Sequence, residues 1–370
     1  MNRLDHDLLP EGLEDRLVAG TAAATRTETA LLRVLAAHGY DRVRPPLIEF
    51  ERSMAARLDG ASTRSMFRFT DPASLRTLAL RTDITPQLAR IATGGLADAP
   101  RPLRLCYAGQ VARIAGTQLD PRRESLQVGA ELIGTDSVAA AAEAVSIAIE
   151  SVKAAGATGV SVDITLPDLV DILAAGPMPL TDSQRSAVRR ELDTKDAGGL
   201  VEAGGKAYLP LIHAAGPFAD AICRLEALDT GGVLDTRIAG LRDIAARIGE
   251  AARLTLDPSE RHGFEYQSWF GFTLYADNVR GSLGRGGTYC IEGSGEAATG
   301  FSLYPEALID ALTGQGEDDR RLFLPLGHDR QAAAAAREQG WRTLAALGEG
   351  DTARSLGCSH TLAADGPVAS

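Results

Sequence analysis

Two polar side chains with the spacing to share one ligand lie in the segment from residue 124 to 134. Its sequence is ESLQVGAELIG, and a strand here places Gln127, Gly129 and Glu131 on one face. A glutamine and a carboxylate on one face suit a positively charged amine, because hydrogen bonds between charged groups are the strong ones. The pair therefore indicates an ammonium-binding surface.

The other residues with reactive or ligand-binding chemistry give no second site. The four cysteines, Cys106, Cys223, Cys290 and Cys358, are spread along the chain, and none belongs to a CxxC pair. This spacing favours buried free thiols over a zinc site or a disulfide framework. The glycine-rich run 281–287 lacks the spacing of a dinucleotide or phosphate loop and predicts a tight turn between strands. We therefore expect no metal and no cofactor.

Composition and charge narrow the class of protein. The chain has 370 residues, 45% of them hydrophobic and 24% charged, which is typical of a globular protein with one large domain and a smaller unit. Its formal net charge of −11 disfavours RNA as the main ligand, because a phosphate backbone is bound by basic surfaces. No apolar run is long enough for a membrane helix. The N-terminus is polar and lacks the apolar core of a signal peptide, so we expect a cytoplasmic location.

The elements that must position these residues predict an α+β fold. The helices predicted from apolar residues at helical spacing cover 21–38, 85–93 and 137–156. In the second of these helices, Thr85 is the expected N-cap and Pro86 the first helical residue. The predicted strands are a hairpin over 66–84 and an antiparallel pair between 103 and 134. Antiparallel strands with helices around them are the pattern of an α+β domain.

The chain is expected to form two units. The larger covers residues 1–314 and contains a mostly helical insertion at about 167–255. A polar, glycine-containing run after Gly314 is typical of a linker. Residues 320–370 predict a small β-α-β unit, in which we expect the last residues, 363–370, to fray.

Two segments of the chain resemble signature motifs of class II aminoacyl-tRNA synthetases, specifically those of the histidine enzymes. Motif 1, which builds the dimer interface in that family, is matched by GYDRVRPPLIEF, with Pro46 as its proline. Motif 2 is matched by CYAGQVARI followed by RRESLQVGAELIG, with Arg113 in place of the arginine that faces the ATP α-phosphate. The resemblance implies a class II synthetase-like antiparallel sheet flanked by helices.

The same resemblance implies a pocket for free histidine. LRTDITPQLAR resembles the family's Arg-Pro-Glu-Gly-Thr stretch, in which an acid and a threonine hold the substrate's α-amino group. Asp83 and Thr85 match those two positions, and two tyrosines match the wall around the imidazole. The residues that the resemblance assigns to histidine binding are Asp83, Thr85, Arg113, Gln127, Glu131, Tyr266 and Tyr289.

The family positions that bind ATP and form the adenylate are changed in this chain. His262 and Thr288 replace arginines of the two histidine motifs, Ala307 replaces the arginine of motif 3, and Ala115 replaces an acidic residue of motif 2. Loss of one electrostatic contact to a transition state costs about 10²–10³ in rate, so we expect no adenylation and no catalytic residue. The segment after motif 3 is also shorter than the family's anticodon-binding domain, so we do not expect tRNA as a partner.

This combination resembles the regulatory subunits of ATP phosphoribosyltransferase, which are silent paralogues of the histidine enzymes. The resemblance implies a short-form catalytic subunit as partner, a self-dimer through the motif-1-like surface, and feedback inhibition of the first step of histidine biosynthesis by histidine. Two alternatives remain open, which are a divergent histidyl-tRNA synthetase and a histidine-sensing paralogue that serves another partner.

Overall fold

The computed structural model of the protein describes residues 8–55, 65–116, 120–229, 231–261, 267–314 and 320–370. The chain divides into two compact units, Met1–Thr313 and Gly314–Ser370. The larger unit contains the sheet that carries three of the seven predicted site residues, Gln127, Glu131 and Tyr289.

The larger unit consists of strands and helices in the following order. Its described strands are β1 (Asp41–Arg42), β2 (Ile48–Phe50), β3 (Arg68–Thr70), β4 (Thr77–Leu80), β5 (Leu103–Ala112), β6 (Glu124–Ile133), β7 (Ser161–Thr165), β8 (Gly216–Pro217), β9 (Arg253–Leu256), β10 (Gln267–Tyr275), β11 (Gly284–Ile291) and β12 (Glu296–Leu303). Its described α-helices are α1 (Val18–Ala37), α2 (Glu51–Ala55), α3 (Thr85–Thr93), α4 (Val138–Ala154), α5 (Leu169–Ala175), α6 (Asp182–Asp193), α7 (Ala197–Glu202), α8 (Leu209–Ile212), α9 (Phe218–Leu228), α10 (Asp235–Ile248) and α11 (Glu306–Leu312).

The main sheet is antiparallel at its centre and parallel near its edges. Among the described residues it has nine strands, in the order β1-β5-β6-β12-β11-β10-β7-β9-β8. The central run from β5 to β7 is antiparallel throughout, whereas β1 pairs with β5 and β9 with β7 in parallel. The predicted α+β fold is therefore confirmed, including the hairpin now seen as β3–β4 and the antiparallel pair β5–β6.

Helices cover both faces of this sheet. Helix α4 lies between α1 and α10 on one face, where its small residues Ala141, Ala144 and Ala148 are buried against the strands. It begins at the side chain of Ser137, which accepts a hydrogen bond from the Ala140 amide. Helix α3 packs on the opposite face, on a smaller apolar cluster. The sheet positions that face α3 are those that carry the predicted site.

The insertion predicted at 167–255 is mostly helical, as expected, and comprises α5 to α10. It differs from the prediction in one respect, because its two short strands β8 and β9 extend the main sheet. Strand β9 has only four residues, which is too short for its alternation to stand out from the helical pattern around it. None of the described helices is both long and apolar enough to span a bilayer.

The smaller unit contains the predicted β-α-β element. Its described elements are β13 (Arg321–Leu324), α12 (Arg330–Glu338), β14 (Arg342–Ala345), β15 (His360–Ala363) and β16 (Gly366–Ala369). Strands β13 and β14 are parallel and are connected through α12, as predicted. The expectation that residues 363–370 fray is wrong, because β15 and β16 form an antiparallel hairpin at the edge of this sheet. The turn is possible because Gly366 adopts a φ of 118°, which side chains other than glycine rarely tolerate.

Candidate functional site

Strand register places Glu131 of β6 beside glycines on the neighbouring strands of the sheet. Gln127 and Glu131 are buried on the face that α3 covers. Across the sheet from Glu131, the register continues through Gly300 of β12, Gly287 of β11 and Gly271 of β10. Three neighbouring glycines therefore form a strip of the sheet without side chains of its own next to the Glu131 carboxyl group.

These glycines are required by the side chains that lie over them. A Cβ atom at Gly300 would overlap the carboxyl group of Glu131, and one at Gly271 would overlap the amide of Gln267. A Cβ at Gly287 would clash with a backbone carbonyl and with the same Gln267 amide. The glycines thus allow Glu131 and Gln267 to lie flat over the sheet, where they border a cavity.

The cavity has a volume of about 250 Å³, including space open to solvent. Its described lining residues are Thr85, Glu131, Gln267, Arg285, Gly286, Gly287, Tyr289, Gly300, Phe301 and Ser302.

Five of the seven predicted residues form one hydrogen-bonded network, and three of them, Thr85, Glu131 and Tyr289, line this cavity. The Thr85 hydroxyl donates to Oε1 of Glu131 at 3.1 Å, and the Tyr289 hydroxyl donates to Oε2 of the same carboxyl group at 2.8 Å. On the other side of Thr85, Nε2 of Gln127 donates to Oδ1 of Asp83 at 2.7 Å. Residues from α3, from the loop before it and from two strands therefore meet at one place.

The loop before α3 is held in place by this network, and it corrects the predicted helix start. Helix α3 begins at Thr85, but its N-cap residue is Ile84 and not Thr85. The Thr85 hydroxyl cannot cap the helix because it donates to Glu131, while the Thr85 amide donates to Oδ1 of Asp83 at 2.9 Å. Oε1 of Gln127 accepts a hydrogen bond from the Ile84 amide at 2.9 Å. The sheet thus fixes the loop through the Gln127 amide group.

Tyr107 and Ser302 support the network, although the sequence analysis did not single them out. The Tyr107 hydroxyl lies 2.8 Å from the Ser302 hydroxyl, and Nε2 of Gln127 donates to both, at 3.2 and 2.8 Å. Tyr107 is fully buried, and its phenol lies over Gly129, where a Cβ atom would overlap it. The pairing of Tyr107 with Gly129 across β5 and β6 explains the glycine between Gln127 and Glu131.

The electrostatics of the cavity suit a positively charged ligand. Burial, together with the smaller effect of the nearby Asp83, raises the pKa of Glu131 to about 8, against the opposing effect of hydrogen bonds from Tyr289 and Thr85. Burial also raises the pKa of Tyr107 well above its ordinary value, and the charges of Glu131 and Asp83 add to this. A cation placed here would stabilise the ionised form of Glu131, which the protein alone disfavours.

The other two predicted residues are not part of the described network. Arg113 follows β5 and is exposed, and Tyr266 lies outside the described residues, as does His262. Among the described lining residues, Arg285 of β11 is the cation. Arg285 is not among the residues predicted from the sequence because the run 281–287 predicts a turn, whereas its last four residues belong to β11. The alternation of Arg285, Gly287 and Tyr289 was the available signal.

Three of the positions at which this chain differs from the family's ATP-binding and adenylate-forming residues are described by the structure, and none of them lines this cavity. Thr288 is buried, and its hydroxyl accepts hydrogen bonds from the amides of Trp269 and Phe270 at 3.3 and 3.1 Å, where the pairing of β10 and β11 is irregular. Ala307 lies in the first turn of α11, and Ala115 is exposed. None of these three side chains carries a charge.

Comparisons with known proteins agree with this architecture. A family model for histidyl-tRNA synthetase matches residues 12–308. The ATP phosphoribosyltransferase regulatory subunit of Paramagnetospirillum magneticum is 42% identical over 375 residues, covering 98% of this chain and 97% of the relative. The regulatory subunit of Rhodospirillum centenum is 40% identical over 363 residues, covering 95% and 94%. The chain belongs to the family of ATP phosphoribosyltransferase regulatory subunits.

A solved structure shows that the fold extends over the whole of such a chain. An ATP phosphoribosyltransferase regulatory subunit/histidyl-tRNA synthetase from Bacillus halodurans superposes with a TM-score of 0.79 at 22% identity, covering 96% of this chain and 97% of the other. The class II synthetase-like fold expected from the sequence is therefore confirmed. Membership among the regulatory subunits also agrees with the expectation that the chain is not itself a catalyst.

Proposed function

We propose that this chain is the non-catalytic regulatory subunit of an ATP phosphoribosyltransferase and that free histidine binds in its cavity as a feedback inhibitor. The complex would catalyse the first step of histidine biosynthesis on its catalytic subunit, which we expect to be of the short form. The observation that carries the histidine proposal is the network of two carboxyl groups, a threonine, a glutamine and a tyrosine, of which Thr85, Glu131 and Tyr289 line the cavity. The cytoplasmic location expected from the sequence is part of this proposal.

Histidine supplies the charge that this network lacks. Its α-ammonium and its imidazole, when protonated, are both cationic, and Asp83 and Glu131 offer each of them an anionic partner. Thr85 connects the two carboxyl groups, through its amide to one and its hydroxyl to the other. Tyr289 forms one wall for the ligand's side chain, and Tyr266 is the expected second wall residue.

Regulation follows if histidine binds one state of the complex better than another. A ligand shifts an equilibrium only by its difference in affinity between the two states. The coupling is reciprocal, so the catalytic subunit must change the affinity for histidine by the same factor as histidine changes assembly. Calorimetry with and without the catalytic subunit measures this factor directly.

The self-dimer is proposed to form through the motif-1-like surface, which includes the sheet β2-β4-β3 because β2 is the end of the motif-1-like segment. This sheet exposes large apolar side chains, among them Leu47, Ile48 and Phe69. At the tip of its hairpin, Leu75 is 79% exposed and adopts a φ of 55°, which is unfavourable for a leucine. A cluster of exposed apolar residues is typical of a protein interface.

The test of the histidine proposal compares Asp83→Asn with Asp98→Asn, an exposed aspartate next to the same helix. We expect wild type and Asp98→Asn to bind histidine with equal affinity, and histidine to inhibit the reconstituted complex of each. Asp83→Asn removes one charged partner and is expected to weaken binding by about 10- to 100-fold. Calorimetry measures the affinities, and size-exclusion chromatography with the catalytic subunit checks assembly.

Three results would contradict the proposal. No heat with histidine in wild type, alone or in complex, would remove the effector role. Equal affinities for the two aspartate variants would place histidine elsewhere. Steady exchange of pyrophosphate into ATP in the presence of histidine would instead support a divergent synthetase.

A further inference from the structure

The cavity has an acidic side chain on one side and a basic side chain on the other. Glu131 projects from β6, and Arg285 projects from β11, two strands away. The register places Arg285 opposite Ser302, which is opposite Gly129, whereas Glu131 is opposite Gly300. Neighbouring strands lie about 4.8 Å apart, so the two backbones are about 10 Å apart across the sheet. Both side chains line the same cavity.

We propose that Arg285 binds the α-carboxylate of the ligand, so that the pocket selects an amino acid over the corresponding amine. This inference rests on the proposed function, because it takes histidine as the ligand. A guanidinium group presents paired donors in a plane, which match the two oxygens of a carboxylate. The cavity then has a carboxyl side for the cationic groups and a guanidinium side for the anionic group.

The surroundings of Arg285 strengthen such a contact. Tyr304 follows β12 and is half-buried, and its amide donates to the Leu283 carbonyl at 2.8 Å. Burial raises the pKa of its hydroxyl, Asp83 raises it further, and the positive charges of Arg113 and Arg285 oppose this. The Tyr304 hydroxyl therefore lies within the electric field of both arginines and of Asp83. An ion pair at this end is partly shielded from water. Charged hydrogen bonds are stronger where water is excluded.

The alternation of side chains along β11 places the Arg285 side chain on the face of the sheet that borders the cavity. Arg285, Gly287 and Tyr289 alternate along β11, so all three lie on the face that carries Glu131. Gly287, next along the strand, has no side chain, and the amide of Gln267 lies over it. The fold thus offers Arg285 access to a ligand that also reaches Glu131.

The experiment compares two ligands that differ in one charge. L-histidine and L-histidinamide share the ammonium and the imidazole, but the amide has no carboxylate. At pH 6.5 the α-ammonium of both is charged. Calorimetry on the full chain is expected to show that wild type prefers histidine. Arg285→Gln is expected to weaken histidine binding by about 10- to 100-fold and histidinamide binding by less than about 3-fold.

Two further variants separate recognition from folding. Arg280→Gln changes an exposed arginine in the loop before β11 and is expected to leave both affinities at the wild-type values. Arg285→Lys keeps the positive charge and is expected to recover part of the preference for histidine. Thermal melting of each variant checks that the fold is intact.

The possible results distinguish a failure of the Arg285 assignment from a failure of the proposed function. If Arg285→Gln weakens both ligands equally, or leaves histidine binding unchanged, the assignment of the carboxylate to Arg285 is wrong while the proposed function stands. If wild type binds neither ligand, the proposed function fails and this inference fails with it. A collapse of the preference in Arg285→Gln, partly recovered in Arg285→Lys, supports both.

Discussion

Glu131 is a buried carboxyl group, and we predict that Glu131→Gln stabilises the ligand-free protein at neutral pH. Burial raises the pKa of Glu131 to about 8 in the folded protein, whereas a glutamate in an unfolded chain has a pKa of about 4.3. The unfolded state therefore loses this proton first, and stability falls as the pH rises from about 4.3 through 8. A glutamine side chain at this position has a similar shape and no charge, so the variant avoids this penalty.

The size of the effect follows from the difference in pKa. One pKa unit corresponds to about 1.4 kcal/mol, so the penalty is close to zero at pH 4 and about 3–4 kcal/mol at pH 7. It levels off at about 5 kcal/mol above pH 8. The side-chain oxygen of a glutamine can still accept the hydrogen bond from Thr85, and its similar volume leaves no cavity.

Chemical unfolding between pH 4 and pH 8.5 measures this difference. Because the two tryptophans, Trp269 and Trp341, lie in different units, the background variant Trp341→Phe makes fluorescence report on the larger unit alone. Glu124→Gln, on an exposed position of the same strand, is the control and is expected to change stability by less than about 0.5 kcal/mol. A gap between Glu131→Gln and wild type that does not grow with pH would refute the reasoning. Added histidine is expected to stabilise wild type but not Glu131→Gln.

Three other predictions concern the same surfaces. Histidine binding at pH 7 is expected to release close to one proton, because the ligand's positive charge lowers the raised pKa of Glu131. Calorimetry in buffers of different ionisation enthalpy measures this release, and a binding enthalpy that is the same in every buffer would contradict it. Gly300→Ala is expected to abolish histidine binding in a titration, because its Cβ would overlap the Glu131 carboxyl group, whereas Gly95→Ala, which has open space around it, leaves binding unchanged. Phe69→Asp is expected to yield monomers in sedimentation experiments while histidine affinity stays the same, and an unchanged mass would place the dimer interface elsewhere.

Local signals in the sequence predicted the elements that position the site. Helix α4 has an N-cap at Ser137 and a glycine at residue 156 that ends it, and the β3–β4 hairpin turns at Asp71. Such features depend on neighbours in the chain, so they can be recognised without the fold. The spacing of Gln127 and Glu131 placed both on one face for the same reason.

Strand β12 shows where local signals ended. Its sequence, EAATGFSL, is rich in small residues and has little preference for a strand. It is extended because β6 and β11 pair with it on both sides. No neighbour in the sequence explains the glycine at position 300. It is explained by the fold, because the Glu131 side chain lies where a Cβ atom of residue 300 would be.

The sequence by itself determined the family resemblance, most of the elements and which residues of one strand share a face. The tertiary structure decided that Arg285, Tyr107 and Ser302 join the predicted residues, because strand register brings distant segments side by side. It also decided the protonation behaviour of Glu131. A glutamate in the sequence is an ordinary acid, and only its removal from water, next to Asp83, raises its pKa towards 8.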